Sequence, residues 1–469
     1  MQRIAILGAG ISGLSAAWYL KRLLGSSVQL TVLEKNLCPG GWIHTLQSDG
    51  FLFEQGPRSC RTRGGGQETL SLVELLGLEE QVILPHPSAR DRFVYQEKNQ
   101  EPMLLRLPGK LWKIPFHPLT PNCLKVLWRD WKMPKRIGGD ESVFSFFERR
   151  LGREWTENLI DPLISGIYAG DGSHLSIQSC FPVFDQWEQQ HGSLVRGAMQ
   201  RNSSRQQLSP FVKKMQRYPL FSFREGMATL PNALAAELKD SLHLGAEVVR
   251  LDIDSKQAVI WLKTGQRIDV DQVISTLPAY ALSAIWPQNS SFSEMLSSIN
   301  YASVVILNIG FDRKVLHQQG FGYLISSMFG LKALGCVWDS CVFPQQSGEN
   351  QTRLALMLGG SRHPDVEFLS EAELIEAAGR ILKTHMKIDI EPQTIQIFRA
   401  NRAIPQFEVG FAQKKREMER IRSSLFPRLT MGGSAWSGVS INDCVAYSKL
   451  IGTQRSQRSQ SVALVQRHT

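Results

Sequence analysis

The chain lacks any apolar run approaching the roughly twenty residues that a bilayer-spanning helix requires, so no membrane-spanning helix is expected. Its seven cysteines (Cys38, Cys60, Cys123, Cys180, Cys336, Cys341, Cys444) are odd in number and scattered, with no C-x-x-C pair. This argues against a disulfide framework and a zinc site, and makes reduced thiols the default. The ten histidines show no metal-ligand spacing, so no metal is expected. Acidic residues fall short of basic ones, 43 against 53, for a net charge of +10. Such a balance suits nucleic acid, an anionic membrane surface or an acidic substrate. No nucleic-acid motif accompanies it, which leaves the other two. The first strand begins at Arg3, leaving no room for a targeting segment ahead of it, so the expectation is the cytoplasm or a targeting signal within the folded part. At 469 residues and 42% hydrophobic, the chain reads as globular and too long for one ordinary core.

What is present is densest in residues 3–35. An apolar run, Ile4 to Leu7, enters Gly8-Ala9-Gly10-Ile11-Ser12-Gly13. An alanine-rich helical pattern follows from Leu14 to Arg22, and a second apolar run, Val28 to Leu33, ends on Glu34. Strand, glycine turn, helix, strand and acid in this order make a dinucleotide site. Gly8 permits the tight turn, Gly10 lets the backbone approach a pyrophosphate, and Gly13 lets the helix pack on the strand. The helix N-terminus offers unpaired N–H groups to phosphate, and Glu34 is placed to accept from ribose hydroxyls.

Next come Cys38-Pro39-Gly40-Gly41-Trp42 and an apparent hairpin ending in Gly56-Pro57-Arg58. A second glycine pair so soon is unusual in NAD dehydrogenases and typical of chains that wrap a whole FAD. The order G-x-G-x-x-G, Glu, G-G-W, G-P-R resembles the flavin-containing oxidases that include monoamine oxidase and phytoene desaturase. Trp42 after the glycine pair resembles the protoporphyrinogen oxidases among them. The matched pieces extend from residue 3 to about 448. One departure is Cys38, where the family often carries an Arg that contacts FAD phosphate; the substitute is expected to be Arg58 or backbone N–H groups.

The resemblance implies an α/β protein with a Rossmann-like FAD-binding domain, a mixed-sheet substrate domain and a helical membrane-docking domain. The FAD domain is expected to be discontinuous, from residues 1–90, 240–285 and 425–455. Residues 103–205 are the docking domain, residues 91–102, 206–239 and 286–424 the substrate domain, and residues 456–469 a disordered, Gln-, Arg- and Ser-repeating tail. Implied FAD contacts are Gly8 to Gly13 with Ala9, Ile11 and Ser12, then Glu34, Lys35, Gly41 and Trp42. Gly56, Pro57, Arg58 and Ser59 follow. Val248 meets the adenine end. Ser434, Val439, Ser440 and Ile441 form a glycine turn and helix start beneath the flavin.

Substrate residues are likewise implied. Arg92, in Asp91-Arg92-Phe93-Val94-Tyr95, pairs with a propionate of a tetrapyrrole; alone it would read as a surface charge. Gly322 and Leu324 face the macrocycle, Leu334 and Val337 flank its plane, and Met357 lies near the flavin; on spacing alone these read as core. Residues 103–136 interleave Trp112, Trp128 and Trp131 with eight basic residues, among them Lys110, and a single acid, Asp130. That composition suits an anionic headgroup layer; the family match favours it over a solvated basic face. Arg61 to Gly66 and Asn202 to Leu208 read as loops, and Glu68 to Leu78 as an amphipathic helix.

The chain carries no second dinucleotide fingerprint, nucleophile triad, paired carboxylates or metal site, so no catalytic base is nominated. The implied reaction is six-electron oxidation of protoporphyrinogen to protoporphyrin in heme biosynthesis, with oxygen or a membrane acceptor receiving the electrons. Coproporphyrinogen is the rival substrate; a flavin amine oxidase and a porphyrin carrier without turnover are the rival classes. With a single clear propionate anchor, Arg92, the two-carboxylate molecule is favoured. A homodimer, transfer to the next enzyme of heme synthesis, and peripheral attachment to the cytoplasmic membrane (the mitochondrial inner membrane in a eukaryote) complete the expectations.

Overall fold

The computed structural model describes residues 1–109, 111–200, 207–286 and 291–467, with no side-chain description at 111, 112 and 458–467. Lys110, the side chain of Trp112 and residues 202–206 of the expected loop lie outside the described residues.

A five-stranded parallel sheet runs in the order Leu242–His243, Val28–Leu33, Gln2–Leu7, Gln272–Ser275, Leu429–Met431. Its centre is buried on both faces, which is why Ile4-Ala5-Ile6-Leu7 is a continuous apolar run without alternation. The helix Ile11–Leu24 packs against Ile441–Arg467, and the Ser448 hydroxyl donates to the Ser12 carbonyl at 2.8 Å between them. The other face carries a three-stranded antiparallel sheet, Val248–Ile253, Ala258–Leu262 and Arg267–Val270. Its Leu251 and Ile260 join Ala5, Leu7 and Val273 in one core.

A second, seven-stranded sheet has the order Thr394–Pro405, Tyr301–Phe311, Thr352–Gly359, Ala333–Val337, Gly322–Leu324, Arg92–Lys98, Glu101–Arg106. Only the Gly322–Leu324 and Arg92–Lys98 pair is parallel. One face buries Leu307, Ile309, Leu354 and Leu356 against the helix Glu371–Met386, whose start is fixed by a reciprocal Ser370–Glu373 cap. The other face is built of small and branched residues, Ala302, Val304, Ile306 and Ala355.

Short helices, including Cys123–Lys132, Val143–Leu151, Asp161–Tyr168 and Pro182–His191, surround a fully buried Arg150. Its guanidinium donates to Asp130 Oδ1 at 2.9 Å, to the Gly192 carbonyl at 3.0 Å and to Glu188. Asp130, the one acid of the basic stretch, is therefore an interior anchor. Its other oxygen accepts from the Ser193 hydroxyl at 2.6 Å and the Val195 N–H at 3.0 Å.

Three expectations are corrected. Residues 207–239 are not confined to the substrate domain: Leu220–Phe223 pairs with both Cys60–Arg61 and Val82–Ile83, while Leu220 also packs with Val342 and Phe343. Phe221, Phe223, Leu230 and Leu234 enter the core of the parallel sheet beside Ile4 and Ile6. The stretch Arg61–Gly66 is not a free loop. Thr62 N–H donates to the Pro219 carbonyl at 3.3 Å, Arg63 Nε donates to the Gln216 carbonyl at 2.9 Å, and Gly66 opens the helix Gly66–Leu75. The tail from residue 456 continues the helix Ile441–Arg467, as a sequence free of Pro and Gly beyond Gly452 allows.

Candidate active site

The glycine turn has the geometry its sequence requires. Gly8 sits at φ +94°, and a Cβ on Gly13 would lie 1.9 Å from the Gly8 carbonyl oxygen, so neither position accepts a side chain. Glu34 is buried, and both of its oxygens are held by backbone: Ala9 N–H donates at 2.8 Å and Asn36 N–H at 2.9 Å. A carboxylate has about four lone-pair positions, so Glu34 is fixed in place with capacity left for ribose hydroxyls. The glycine-pair loop lies directly on the turn. Gly40 N–H donates to the Ala9 carbonyl at 2.9 Å, and a Cβ on Gly41 would come within 3.0 Å of Gly10 Cα. Ala246 N–H donates to the Glu34 carbonyl at 2.8 Å, which brings the start of strand Val248–Ile253 beside the acid. Lys35 is exposed at the same strand end.

At the far end, Gly433 passes so close to Thr276 that a Cβ would sit 2.8 Å from its carbonyl oxygen. The short helix Ser434–Ser437 follows, and then the cap of the long C-terminal helix. Asp443 N–H donates to Ser440 Oγ at 3.2 Å, and Ser440 N–H and Oγ donate to Asp443 Oδ2 at 3.3 and 2.6 Å. The Ser440 hydroxyl is thus committed to capping, and a ligand there would meet backbone of Val439 to Ile441.

Arg58 corrects the sequence reading. Nη1 donates to the carbonyls of Glu54 at 3.1 Å and Gly56 at 3.2 Å, Nη2 to Asn308 Oδ1 at 2.5 Å, and Nε stands 3.3 Å from Asp339. With these contacts the Arg58 guanidinium ties the hairpin to the second sheet, which is not the phosphate contact expected of it. Gly56 is required for packing, because a Cβ would lie 1.9 Å from the Trp42 carbonyl oxygen. Pro57 and Ser59 flank Arg58 on the same loop.

Opposite this cradle lies the small-residue face of the second sheet. Leu334, Val337 and Met357 are half-buried there with Phe398 and Ile404, around Ala302, Ile306 and Ala355. Trp42 meets the Phe398 ring edge-on at 6.4 Å between centroids, which joins the glycine-pair loop to this face. Leu324 leans on the helix Asp161–Tyr168, its Cδ2 lying 2.8 Å from where a Gly166 Cβ would stand. Gly322 has a reason other than a ligand: a Cβ would lie 2.1 Å from the Cys336 carbonyl oxygen of the neighbouring strand. Arg92 pairs in register with Gly322, and its guanidinium lies 5.1 Å from the Phe321 ring centroid. Its neighbour Asp91 is taken by Arg106.

Sequence reasoning missed Phe398, Arg61 and Asn442. Asn442 follows the nominated Ile441; its Nδ2 donates to the Arg61 carbonyl at 3.0 Å, and its Oδ1 accepts from the Thr69 hydroxyl at 2.7 Å. A buried amide with both ends satisfied across separate segments is invisible to local pattern. Its position in the Gly438–Asp443 run was the available signal.

A parallel sheet with a glycine turn and ribose acid, facing an apolar sheet across a cleft, defines a dinucleotide-binding oxidoreductase. The chain belongs to the flavin containing amine oxidoreductase family, whose pattern it matches over residues 11–448. It is 33% identical to protoporphyrinogen oxidase of Bos taurus, over 96% of this chain and 98% of that protein. It is 31% identical to coproporphyrinogen III oxidase of Bacillus subtilis, with 96% of each chain covered. A crystal structure of an Exiguobacterium sp. 255-15 protein superposes with a TM-score of 0.81 over 97% of this chain and 99% of that one, at 23% identity, and speaks to the fold alone. The chain is therefore an FAD-dependent oxidoreductase. The turn at Gly8 to Gly13, the buried Glu34 and the loops at Gly41 and Ser434 to Ile441 fit that cofactor.

Proposed function

We propose that this enzyme oxidises a porphyrinogen to the corresponding porphyrin in heme biosynthesis, with protoporphyrinogen the favoured substrate. The carrying observation is the apolar face of Leu334, Val337 and Met357 with Arg92 at its end, in a chain whose relatives are named for this oxidation. Bound FAD supplies the two-electron acceptor, used three times per macrocycle with oxygen or a membrane acceptor receiving the electrons. The protein's own share is binding and orientation. Glu34 and the glycine turn hold the nucleotide. Leu334, Val337, Met357 and Phe398 give a flat ring an apolar wall and exclude water. The planar guanidinium of Arg92 takes a carboxylate in paired hydrogen bonds. No residue is assigned proton transfer.

Purified holoenzyme mixed in air with protoporphyrinogen or coproporphyrinogen should generate porphyrin fluorescence, faster with the first. Preference for the second would place the enzyme with its Bacillus subtilis relative. Enzyme-dependent growth with neither would refute the reading.

A membrane surface is the proposed place of work. On the helix Cys123–Lys132, Leu124 is 75% and Trp128 64% exposed, with Lys125, Arg129 and Lys132 beside them. Phe116 and Ile137 are more than four-fifths exposed nearby. Among the described residues no helix is long and apolar enough to cross a membrane. Leu124→Ser with Trp128→Ser should abolish flotation with anionic vesicles while leaving turnover in detergent intact; unchanged flotation would refute this docking face.

A further inference from the structure

A second cation stands at the Arg92 end of the cleft. Arg61 ends the strand Cys60–Arg61, and its carbonyl is pinned by Asn442 at the start of the long C-terminal helix. Its side chain is exposed, and among the described residues its guanidinium has neither a hydrogen bond nor an ion pair. Arg92 is in the same state, touching only the Phe321 ring. The more enclosed arginines Arg58 and Arg353 are spoken for, Arg58 by Asn308 and Asp339, Arg353 by the carbonyls of Leu52 and Phe343. Partial burial first, and then the Arg61 charge, lower the basicity of Arg92. Arg92 is solvent-accessible, with one face of its guanidinium against the Phe321 ring. Arg61 pairs in register with Leu220, which packs in one cluster with Phe321, the ring that the Arg92 guanidinium faces. Two unpaired like charges repel each other and gain from an anion that meets both.

We propose that Arg61 is a specificity-determining residue, the partner of Arg92 in holding two carboxylates carried on one edge of the macrocycle. The inference rests on the porphyrinogen reading above. Protoporphyrinogen carries its two propionates on adjacent rings, so one edge presents both acids and the remainder is apolar. With that edge held by Arg61 and Arg92, the opposite edge lies against Leu334, Val337 and Met357. A tetracarboxylate would press two further charges into that apolar wall, where an unpaired charge is strongly disfavoured. Sequence alone showed one anchor; the fold supplies the second from a segment that reads as a loop.

The test measures binding of protoporphyrin and of its dimethyl ester to flavin-loaded enzyme by fluorescence titration. Wild type, Arg61→Gln, Arg61→Lys and Arg92→Gln are compared, with flavin content as the folding control. Arg61→Gln should weaken the diacid by about tenfold or more and leave the diester unchanged. Arg61→Lys should recover part of the loss, and turnover of protoporphyrinogen should show a raised KM at unchanged kcat. Equal loss for diacid and diester would show a merely structural role and overturn the inference. Unchanged diacid binding in Arg61→Gln alongside a loss in Arg92→Gln would overturn the Arg61 assignment and leave the porphyrinogen reading standing. Failure of wild-type holoenzyme to bind the diacid would overturn both.

Discussion

The buried Glu54 should contribute stability that is lost as pH rises through neutrality. Glu54 ends the strand Phe51–Glu54 with its carboxyl enclosed; Met227 N–H donates to Oε1 at 2.7 Å and the Thr45 hydroxyl donates to Oε2 at 3.0 Å. Burial pushes its pKa from 4.5 up to about 7, against the Met227 and Thr45 hydrogen bonds and the Arg58 charge, with Asp339 adding to the rise. Between those two values the folded state keeps a proton that the unfolded chain has released. The contribution is fully present below the unfolded pKa and lost as pH rises through the folded one. At about 1.4 kcal/mol per unit, the loss above neutrality is on the order of 3 kcal/mol. Unfolding entropy of roughly 2 cal/mol/K per residue converts this to about 3 °C in a chain of 469 residues. Glu54→Gln copies the protonated shape, offering its carbonyl to Met227 and its N–H to Thr45 Oγ1. Thermal unfolding of the holoenzyme, followed by flavin release from about pH 5 to about pH 8.5, is the assay. The variant should match wild type at the acid end and exceed it by about 3 °C at the alkaline end. Parallel curves across the range would refute the raised pKa.

Two further outcomes follow from the packing. Gly13→Ala would put a methyl 1.9 Å from the Gly8 carbonyl oxygen; the purified variant should carry little flavin per chain by absorbance, and full occupancy would overturn the account of that turn. Arg150→Met leaves the fully buried Asp130 and Glu188 without their shared cation, so denaturant unfolding should show a loss of about 3–5 kcal/mol. A loss under about 1 kcal/mol would mean the carboxylates find compensation in the surrounding hydrogen bonds.

The parallel sheet was legible because burial on both faces leaves an unbroken apolar run, and the glycines and acid occur within one short segment. The face of Leu334, Val337 and Met357 was legible only through family likeness. Apolar residues at strand spacing look the same whether they line a cleft or a core, and Leu307 and Leu356 on the opposite face have the same composition. Segment 207–239 was misplaced for a related reason. A short strand such as Leu220–Phe223 states that it will be buried, while its partner, Cys60–Arg61, lies far away in the chain.

Charge is where local reading has least power. The sequence holds 53 basic residues, and Arg58, Arg61, Arg92 and Arg150 are chemically identical in it. The fold divides them by what each guanidinium meets. Arg150 and Arg58 are enclosed by acids and carbonyls, so their guanidinium groups are engaged in holding segments together. Among the described residues Arg61 and Arg92 pair with no acid, although Asp91 and Asp443 lie in nearby segments; Arg106 occupies the first and the helix cap the second. An arginine whose nearby carboxylates are already engaged keeps its charge for an incoming anion. That division, more than the net charge of +10, is what marks one end of the cleft as the carboxylate end, and it depends on contacts that only the folded chain creates.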